Sequence, residues 1–281
     1  MSQPLKKDGG SGRAQGSAWL TVATLNTRGV PVTGSHLAGR YQAIGEAFET
    51  CDADVVTFQE VFTYWHLRLL ARRMRSFRHV AYRPSAAGPA GGLVTFSRLP
   101  VSARAYRGFG FPARTPGVSW TARARARLKG VLVTELPDPG VRVVNTHPVA
   151  NRDGDWSRAN RFFPLHQAQL GVTAQVASAA TVPAVVCGDF NVDRDSVLLR
   201  GFLSQTGLAD AFGGQCPATF HSEYLDPPEP AHCIDFILSS PQIKAGLTRV
   251  LFGSRQILRG RPEYLSDHIG LYARLHRVPI P

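Results

Sequence analysis

Apolar, β-branched runs that stop at polar residues recur through this chain, and they constrain its fold more than any other feature. Four such runs, Leu20 to Leu25, Val55 to Phe58, Val141 to Val144 and Val182 to Cys187, are each typical of a buried strand. Functional side chains concentrate where such strands end. The polar motifs in question, most of which follow such a run, are Leu25-Asn26, Gln59-Glu60, Asn145-Thr146-His147, Gly188-Asp189-Phe190-Asn191, Ile234-Asp235-Phe236-Ile237 and Ser266-Asp267-His268.

The order of the remaining elements predicts mixed β-sheets covered by helices. Strands often follow one another as hairpin neighbours instead of alternating strictly with helices, which argues against a doubly wound parallel sheet. Further strands are predicted at Gly92 to Phe96, Leu128 to Leu136, Ile234 to Leu238 and Leu271 to Leu275. Helices are predicted at Gly39 to Glu49, Trp65 to Phe77 and Pro164 to Ala179.

The 281 residues show no internal boundary, so a single domain is expected. Residues 1–16 are rich in Gly, Ser, Gln and Lys and are predicted to be a disordered lead-in to a catalytic domain at 17–281. No apolar run is long enough to span a bilayer, and none follows Lys6 and Lys7 as in a signal peptide. A cytoplasmic location is therefore expected, and secretion is the alternative.

The net charge of +12 comes almost entirely from arginine. A GC-rich genome explains this bias as well as a function does, but the charge would attract polyanions such as nucleic acid or an anionic membrane. One cluster is expected on the solvated side of a helix: Arg68, Arg72, Arg73, Arg75 and Arg78. A second cluster consists of Arg123, Arg125, Arg127 and Lys129, which alternate with Ala122, Ala124, Ala126 and Leu128. On the predicted strand this alternation places four cations on one face, so this cluster is the better candidate for substrate contact.

Two long Gly- and Pro-rich loops are predicted, Tyr106 to Val118 and Gly213 to Ala231, and loops of this length are usually functional. The four cysteines, Cys51, Cys187, Cys216 and Cys233, lack metal-site spacing. Cys216 and Cys233 could pair in an oxidising setting, but free thiols are favoured because no signal peptide is visible.

The polar motifs are rich in oxygen donors, which suit a hard divalent cation and a phosphate better than zinc or an acyl group. Glu60 is predicted to bind the ion directly, Asn26 through its amide oxygen, and Asp267 directly or through water. Three scattered oxygen ligands leave positions open for water and phosphate, as Mg²⁺ prefers.

The other polar residues are predicted to move protons and to bind phosphate oxygens. His268 is the candidate base if Asp235, isolated in an apolar strand, fixes its tautomer. Asp189 can position or deprotonate the attacking water, or protonate the leaving group, and the sequence does not separate these roles. His147 and Asn191 are predicted to donate hydrogen bonds to the phosphate. Each residue alone could be a turn former or a solvated terminus; their combination and order favour metal-assisted hydrolysis of a phosphoester.

From about Thr21 to Leu275, this set of motifs resembles the endonuclease/exonuclease/phosphatase superfamily. The resemblance implies an α/β (α+β) fold, a four-layer αββα sandwich of two packed mixed sheets flanked by helices. It also implies Mg²⁺ as cofactor, with Mn²⁺ as a substitute, and catalytic positions at Asn26, Glu60, His147, Asp189, Asn191, Asp235, Asp267 and His268.

Several segments are more similar to the neutral sphingomyelinase branch of that superfamily. They are Gln59-Glu60-Val61-Phe62, Gly92 to Pro100, Lys129 to Leu132, and the stretch from Thr146 through Asn151 to His166 and Gln169. The resemblance implies substrate-binding roles for Lys129, Asn151 and Phe62. Secreted members carry an aromatic hairpin that dips into the membrane, and only Phe109, Phe111 and Trp120 hint at one here.

The sequence therefore predicts a Mg²⁺-dependent phosphodiesterase of the sphingomyelinase or phospholipase C type. An endonuclease, a phosphomonoesterase with a pocket shaped by the loop from Cys216 to His232, and a binding module without turnover are the alternatives. The expected partners are a phospholipid headgroup or nucleic acid and an anionic membrane surface, and the chain is expected to be a monomer.

Overall fold

The structure is a computed structural model that describes residues 19–30, 36–110, 115–225 and 230–278. The lead-in predicted for residues 1–16 lies outside them. The helices are α1 Leu37–Thr50, α2 Tyr64–Ala71, α3 Trp120–Leu128, α4 Phe163–Ser178 and α5 Val197–Thr206. The strands are β1 Leu20–Asn26, β2 Val55–Gln59, β3 His79–Ala81, β4 Val94–Ser97, β5 Ala103–Gly108, β6 Gly130–Leu136, β7 Val141–Thr146, β8 Ala184–Asp189, β9 Ala209–Asp210, β10 Asp235–Ser239, β11 Ile243–Leu251, β12 Gln256–Leu258, β13 Arg261–Glu263 and β14 Gly270–Arg277.

Two six-stranded sheets form the centre of the molecule, with strand orders β11-β14-β1-β2-β4-β3 and β5-β6-β7-β8-β10-β9. Both are mixed, because β1 pairs in parallel with β2 and β7 with β8, whereas their other pairs are antiparallel. The sheets pack face to face through apolar side chains such as Val22 and Val55 of the first and Val143 and Val185 of the second. Helices cover the outer faces, so the predicted four-layer sandwich is confirmed.

The strand register brings the polar motifs together at one end of each sheet. Asn26 is opposite Gln59 in the first sheet. In the second, Asp235 is opposite Asp189. A buried polar bridge joins the two sheets near these ends: Gln59 Nε2 donates to Asn145 Oδ1 at 2.8 Å. The ends of β1, β2, β7 and β8 are thereby held in one region.

Two outer helices match the ranges predicted from the sequence, and a third is shorter than predicted. Helices α1 and α4 match the predictions at Gly39 to Glu49 and Pro164 to Ala179. Helix α2 begins where Thr63 caps it by accepting from His66 N and ends at Ala71, six residues before the predicted Phe77. Helix α5 was not predicted.

The segment predicted as a cationic strand is instead helix α3, so the prediction of four cations on one strand face is wrong. Ser119 caps the helix by accepting from Ala122 N, and β6 begins only at Gly130. Alanine has the highest helix propensity of any residue, and it occupies every second position here, which outweighs the alternating pattern.

The described parts of the two predicted long loops contain some regular structure. Strand β5 extends to Gly108, inside the first loop, and the second contains a short 3-10 turn at Ser222–Tyr224. Phe111 lies outside the described residues, and Phe109 packs against the core. The four cysteines are buried free thiols, as favoured from the sequence. None of the described helices has the length and apolar character needed to cross a membrane.

Candidate active site

Asp189, the last residue of β8, lies at the centre of a cluster of polar side chains. Its Oδ2 accepts from Asn26 Nδ2 at 2.9 Å and from Asn191 Nδ2 at 3.2 Å. Its Oδ1 accepts from the backbone N–H of Asn191 at 2.9 Å, in a turn where Asn191 has φ of +51°. The residue before it, Gly188, has φ of +137° and closely approaches the Thr146 carbonyl. The local backbone therefore fixes where this carboxylate points.

Two histidines approach the same carboxylate from different elements. His147, just after β7, has its Nε2 3.4 Å from Asp189 Oδ2, and His268, just before β14, has its Nε2 3.8 Å away. Both rings are buried. The three residues are far apart in sequence, so the fold alone creates this contact.

Asp235 holds the imidazole ring of His268 in place. Its Oδ2 lies 2.8 Å from His268 Nδ1, and its backbone N–H donates to Thr219 Oγ1 at 3.1 Å. The other oxygen, Asp235 Oδ1, is buried without a hydrogen-bond partner among the described residues. An isolated carboxylate in a core is costly, so its pairing with His268 accounts for its place within the apolar strand β10.

The charges in this cluster shift the pKa values in opposite directions. Burial alone would lower the pKa of His268, but the carboxylates of Asp235 and Asp189 outweigh burial and raise it to about 10. Burial raises the pKa of Asp235 to about 6, against the effect of His268. The pKa of Asp189 falls well below its ordinary value, because His268 and His147 overcome the effect of burial. The two carboxylates therefore favour the protonated form of His268 beside Asp189.

Lys129 brings a positive charge to the other side of His147. Its Nζ lies 2.8 Å from His147 Nδ1 and 3.0 Å from Nε2. Burial lowers the pKa of Lys129 to about 8, and burial together with the Lys129 charge lowers the pKa of His147. The neutral imidazole can therefore accept from the ammonium group, which has only donors. Phe62 borders this pair, with its ring centroid 5.7 Å from Lys129 Nζ.

Glu60 follows β2 and faces the same region. Its Oε1 is 4.0 Å from His147 Nε2, and its Oε2 accepts from the Gly29 N–H at 3.1 Å. Its backbone has φ of +64°, which is uncommon for a residue with a side chain and indicates a position fixed by its surroundings. The side chain keeps about 18 % of its surface exposed, so it is accessible to a ligand.

Asp267 adds a second partly exposed carboxylate. Its Oδ2 lies 3.6 Å from Arg28 Nε, and its Oδ1 accepts from Ser266 Oγ at 3.2 Å. Burial raises its pKa, and the charge of Glu60 adds to the rise. Ser266 also donates to the carbonyl of Asn26 at 2.6 Å, which ties the segment before β14 to the end of β1. The Glu60 charge acts on Asp267, so the two carboxylates are near each other, and their like charges suit a cation. Asn26 lies beside them at the end of β1, where its Oδ1 accepts from the Arg28 N–H at 3.0 Å.

A second group could also hold a metal ion. Asp189, Asp235 and His268 each offer one ligand atom, and these atoms lie within 4.8 Å of one another. However, the carboxylates of Asp235 and Asp189 raise the pKa of His268 and favour its protonated form, and a protonated imidazole does not bind a metal. The oxygen set at Glu60 therefore fits a hard divalent ion better.

Asn151 lies in the loop after β7 and organises that loop. Its Nδ2 donates to the Asp155 carbonyl at 2.7 Å, and its Oδ1 accepts from the Asp153 N–H at 2.9 Å. Its substrate-binding role stays a prediction.

Several residues that support the site were given no role from the sequence. Arg40 of α1 is buried and donates to the carbonyls of Thr27, Arg28 and Leu265. Trp156 Nε1 donates to the Asn191 carbonyl at 2.8 Å. These contacts of Arg40 and Trp156 are with backbone atoms, so nothing in the local sequence identifies the two residues, whereas Gln59 and Asn145 stand inside recognisable motifs.

Similarity to known proteins extends over nearly the whole chain. The sequence model described as "Endonuclease/Exonuclease/phosphatase family" matches residues 23–268. The solved structure of sphingomyelinase C from Streptomyces griseocarneus has 18 % identity and a TM-score of 0.66, covering 90 % of this chain and 98 % of that chain. The solved structure of TDP2 from D. rerio complexed with a single-strand DNA product has 16 % identity and a TM-score of 0.67, covering 92 % of this chain and 98 % of that chain. A mannosyl-6-phosphatase of Bacteroides thetaiotaomicron has 19 % identity and a TM-score of 0.67, covering 92 % of this chain and 99 % of that chain.

No curated protein sequence matches the chain. At these identities the solved structures show a common fold, and the three named proteins differ in what they act on. Their similarity to this chain does not select among lipid, nucleic acid and small phosphate.

Proposed function

Because this chain belongs to the endonuclease/exonuclease/phosphatase family, we propose that it is a Mg²⁺-dependent phosphodiesterase acting on a phospholipid headgroup, as a sphingomyelinase or phospholipase C does. Members of the family are hydrolases of phosphoric ester bonds, so the predicted enzyme class is confirmed. The observation that carries the proposed chemistry is the convergence of Asn26, His147, Asn191 and His268 on the Asp189 carboxylate. The choice of a lipid substrate rests on the sphingomyelinase-like segments Gln59-Glu60-Val61-Phe62 and Lys129 to Leu132.

Glu60, Asn26 and Asp267 are the residues that would hold the metal ion. Family members typically use a divalent metal, and this donor set consists of hard oxygens, which favours Mg²⁺ or Mn²⁺. A bound divalent ion supplies charge neutralisation at the phosphate and at the leaving oxygen.

Lys129, His147 and Asn191 are placed to bind the non-bridging oxygens of the phosphate. Lys129 contributes a positive charge, and His147 and Asn191 contribute N–H donors. Such donors stabilise a transition state most when they are fixed before the reaction, and these three are already held by neighbouring side chains.

Asp189 and His268 have different roles in positioning the water and in proton transfer. Asp189 is ionised and can accept a hydrogen bond from the attacking water, which orients the water for in-line attack on phosphorus. The base role predicted for His268 requires a neutral ring, whereas its pKa is raised to about 10. The ring is held by Asp235 at 2.8 Å and faces Asp189, and on this geometry we assign His268 the role of a proton and hydrogen-bond donor.

A nuclease is the second candidate, and the net charge of +12 favours it. The predicted strand that would have gripped a nucleic-acid backbone is absent, since that segment forms helix α3. The same catalytic residues would serve either substrate.

One assay tests the proposal directly. The purified chain with Mg²⁺ is offered sphingomyelin, plasmid DNA and an inositol phosphate in parallel, each with an EDTA control. Release of phosphocholine, abolished by EDTA and by Asp189→Ala but kept by the surface control Asp153→Asn, supports the proposal. Cleavage of DNA alone rejects the lipid substrate, and activity that survives EDTA rejects the metal-dependent mechanism.

A further inference from the structure

Helix α3 presents an apolar face to solvent. Trp120, Ala124 and Leu128 are four residues apart and therefore lie along one side of the helix. Trp120 has an exposed fraction of 73 % and Leu128 of 70 %, and both are among the most exposed large apolar residues that the structure describes. Leaving two such side chains in water is unfavourable, so this face suits a partner that would cover it.

The opposite side of α3 packs against residues next to the candidate active site. Ala126 is fully buried against Val149, Phe162 and Leu165, and Val149 is two residues after His147. The helix ends at Lys129, whose Nζ contacts His147. The outward apolar face therefore belongs to a helix that leads directly into Lys129 of the site.

Positive charge borders the apolar face. At 100° per residue, Arg125 lies on one flank of the line from Trp120 to Leu128, and Arg127 lies on the other. Both arginines are exposed. A tryptophan and a leucine bordered by arginines are typical of a helix that lies in the interface of an anionic bilayer. Nucleic acid suits this face less well, because an aliphatic side chain cannot stack on a base as an aromatic ring can.

We propose that α3 docks the protein onto an anionic lipid bilayer, with Trp120 and Leu128 at the boundary between headgroups and acyl chains and with Arg125 and Arg127 at the lipid phosphates. This inference deepens the proposed function, on which it rests for the idea that a lipid substrate is presented at this surface. Docking itself requires no turnover, so it can be measured separately.

The test is co-sedimentation of the full chain with phosphatidylcholine vesicles, with and without phosphatidylserine. We expect binding to the phosphatidylserine vesicles, and a loss of at least about tenfold in partitioning for the double variant Trp120→Ser/Leu128→Ser. Leu247→Ser is the matched control, since Leu247 is also exposed but lies on β11, and it should bind as the original chain does. Asp189→Ala should also bind normally even if it is inactive on every substrate, which separates docking from the proposed function.

Arg125→Gln should weaken binding to phosphatidylserine vesicles and leave the weak binding to phosphatidylcholine unchanged. The proposal is overturned if the chain does not bind phosphatidylserine vesicles, or if the double variant binds them as well as Leu247→Ser does. It is also overturned if the double variant loses affinity for a single-stranded oligonucleotide while its vesicle binding is intact, because α3 would then be a nucleic-acid surface.

Discussion

Asp235 Oδ2 and His268 Nδ1 lie 2.8 Å apart, so the start of β10 and the segment before β14 share one buried ion pair. We predict that Asp235→Asn lowers kcat by about 10²- to 10⁴-fold with a small change in KM, because the ring loses the charge that keeps it protonated and oriented. Steady-state hydrolysis of bis-p-nitrophenyl phosphate measures both constants.

The control for this variant is Asp153→Asn, which removes a carboxylate from the loop after β7. It should keep the kcat of the original chain. Equal kcat values for the two variants would mean that the pair between Asp235 and His268 serves the fold and not the reaction.

Binding of a metal ion at Glu60 should be visible without turnover. We expect Mg²⁺ to raise the Tm of the EDTA-treated chain, since an ion that binds only the folded state stabilises it. Glu60→Gln should need at least about tenfold more Mg²⁺ for the same rise, because a charged oxygen ligand is lost. Differential scanning fluorimetry across a Mg²⁺ series measures this shift.

The alternative ligand set gives the opposite pattern. If Asp189, Asp235 and His268 hold the ion, Glu60→Gln should respond to Mg²⁺ as the original chain does, and Asp235→Asn should lose the response. That result would contradict the placement of the ion at Glu60.

The central site residues could be predicted because they have a local signal. Asp189 and His147 are polar side chains at the ends of apolar strands, and Asp235 is a carboxylate inside one. The polar bridge between Gln59 and Asn145 could not be predicted, because the sequence of a single strand does not determine how the two sheets pack against each other.

The error at α3 has a physical cause that applies beyond this chain. Arginine alternating with alanine matches the two-residue period of a strand. It is also compatible with a helix, because alanine is tolerated on both the buried and the exposed side of a helix. Packing of Ala126 against Phe162 and Leu165 decides between them, and those contacts form only in the folded protein.

His166 of α4 should make the stability of the fold sensitive to acid. Burial lowers its pKa to about 4, against a hydrogen bond from Nε2 to the Val149 carbonyl. Because the folded-state pKa lies below the unfolded value of about 6.5, this contribution is complete above pH 6.5 and is lost as the pH falls toward 4. Its upper limit is about 3 kcal/mol.

The variant His166→Gln keeps a donor for Val149 but does not titrate. Urea unfolding at about pH 7 and at about pH 4.5 should show a smaller loss of unfolding free energy for the variant than for the original chain. The carboxylates titrate equally in both proteins, so their contribution to the unfolding free energy cancels in the comparison. An identical loss in both would show that His166 does not couple folding to pH.

Gly188 is required by the close approach of β8 to β7. A Cβ at this position would lie 2.1 Å from the Thr146 carbonyl oxygen, and the backbone has φ of +137°. We predict that Gly188→Ala destabilises the fold by about 3 kcal/mol or more and displaces Asp189, its neighbour, so that activity falls as well. Gly201→Ala is the matched control, because a Cβ at Gly201 in α5 meets nothing within 4 Å and should instead stabilise the fold by about 0.5–1 kcal/mol. Urea unfolding of the two variants measures both changes, and a Gly188→Ala protein as stable as Gly201→Ala would contradict the steric origin of the site geometry.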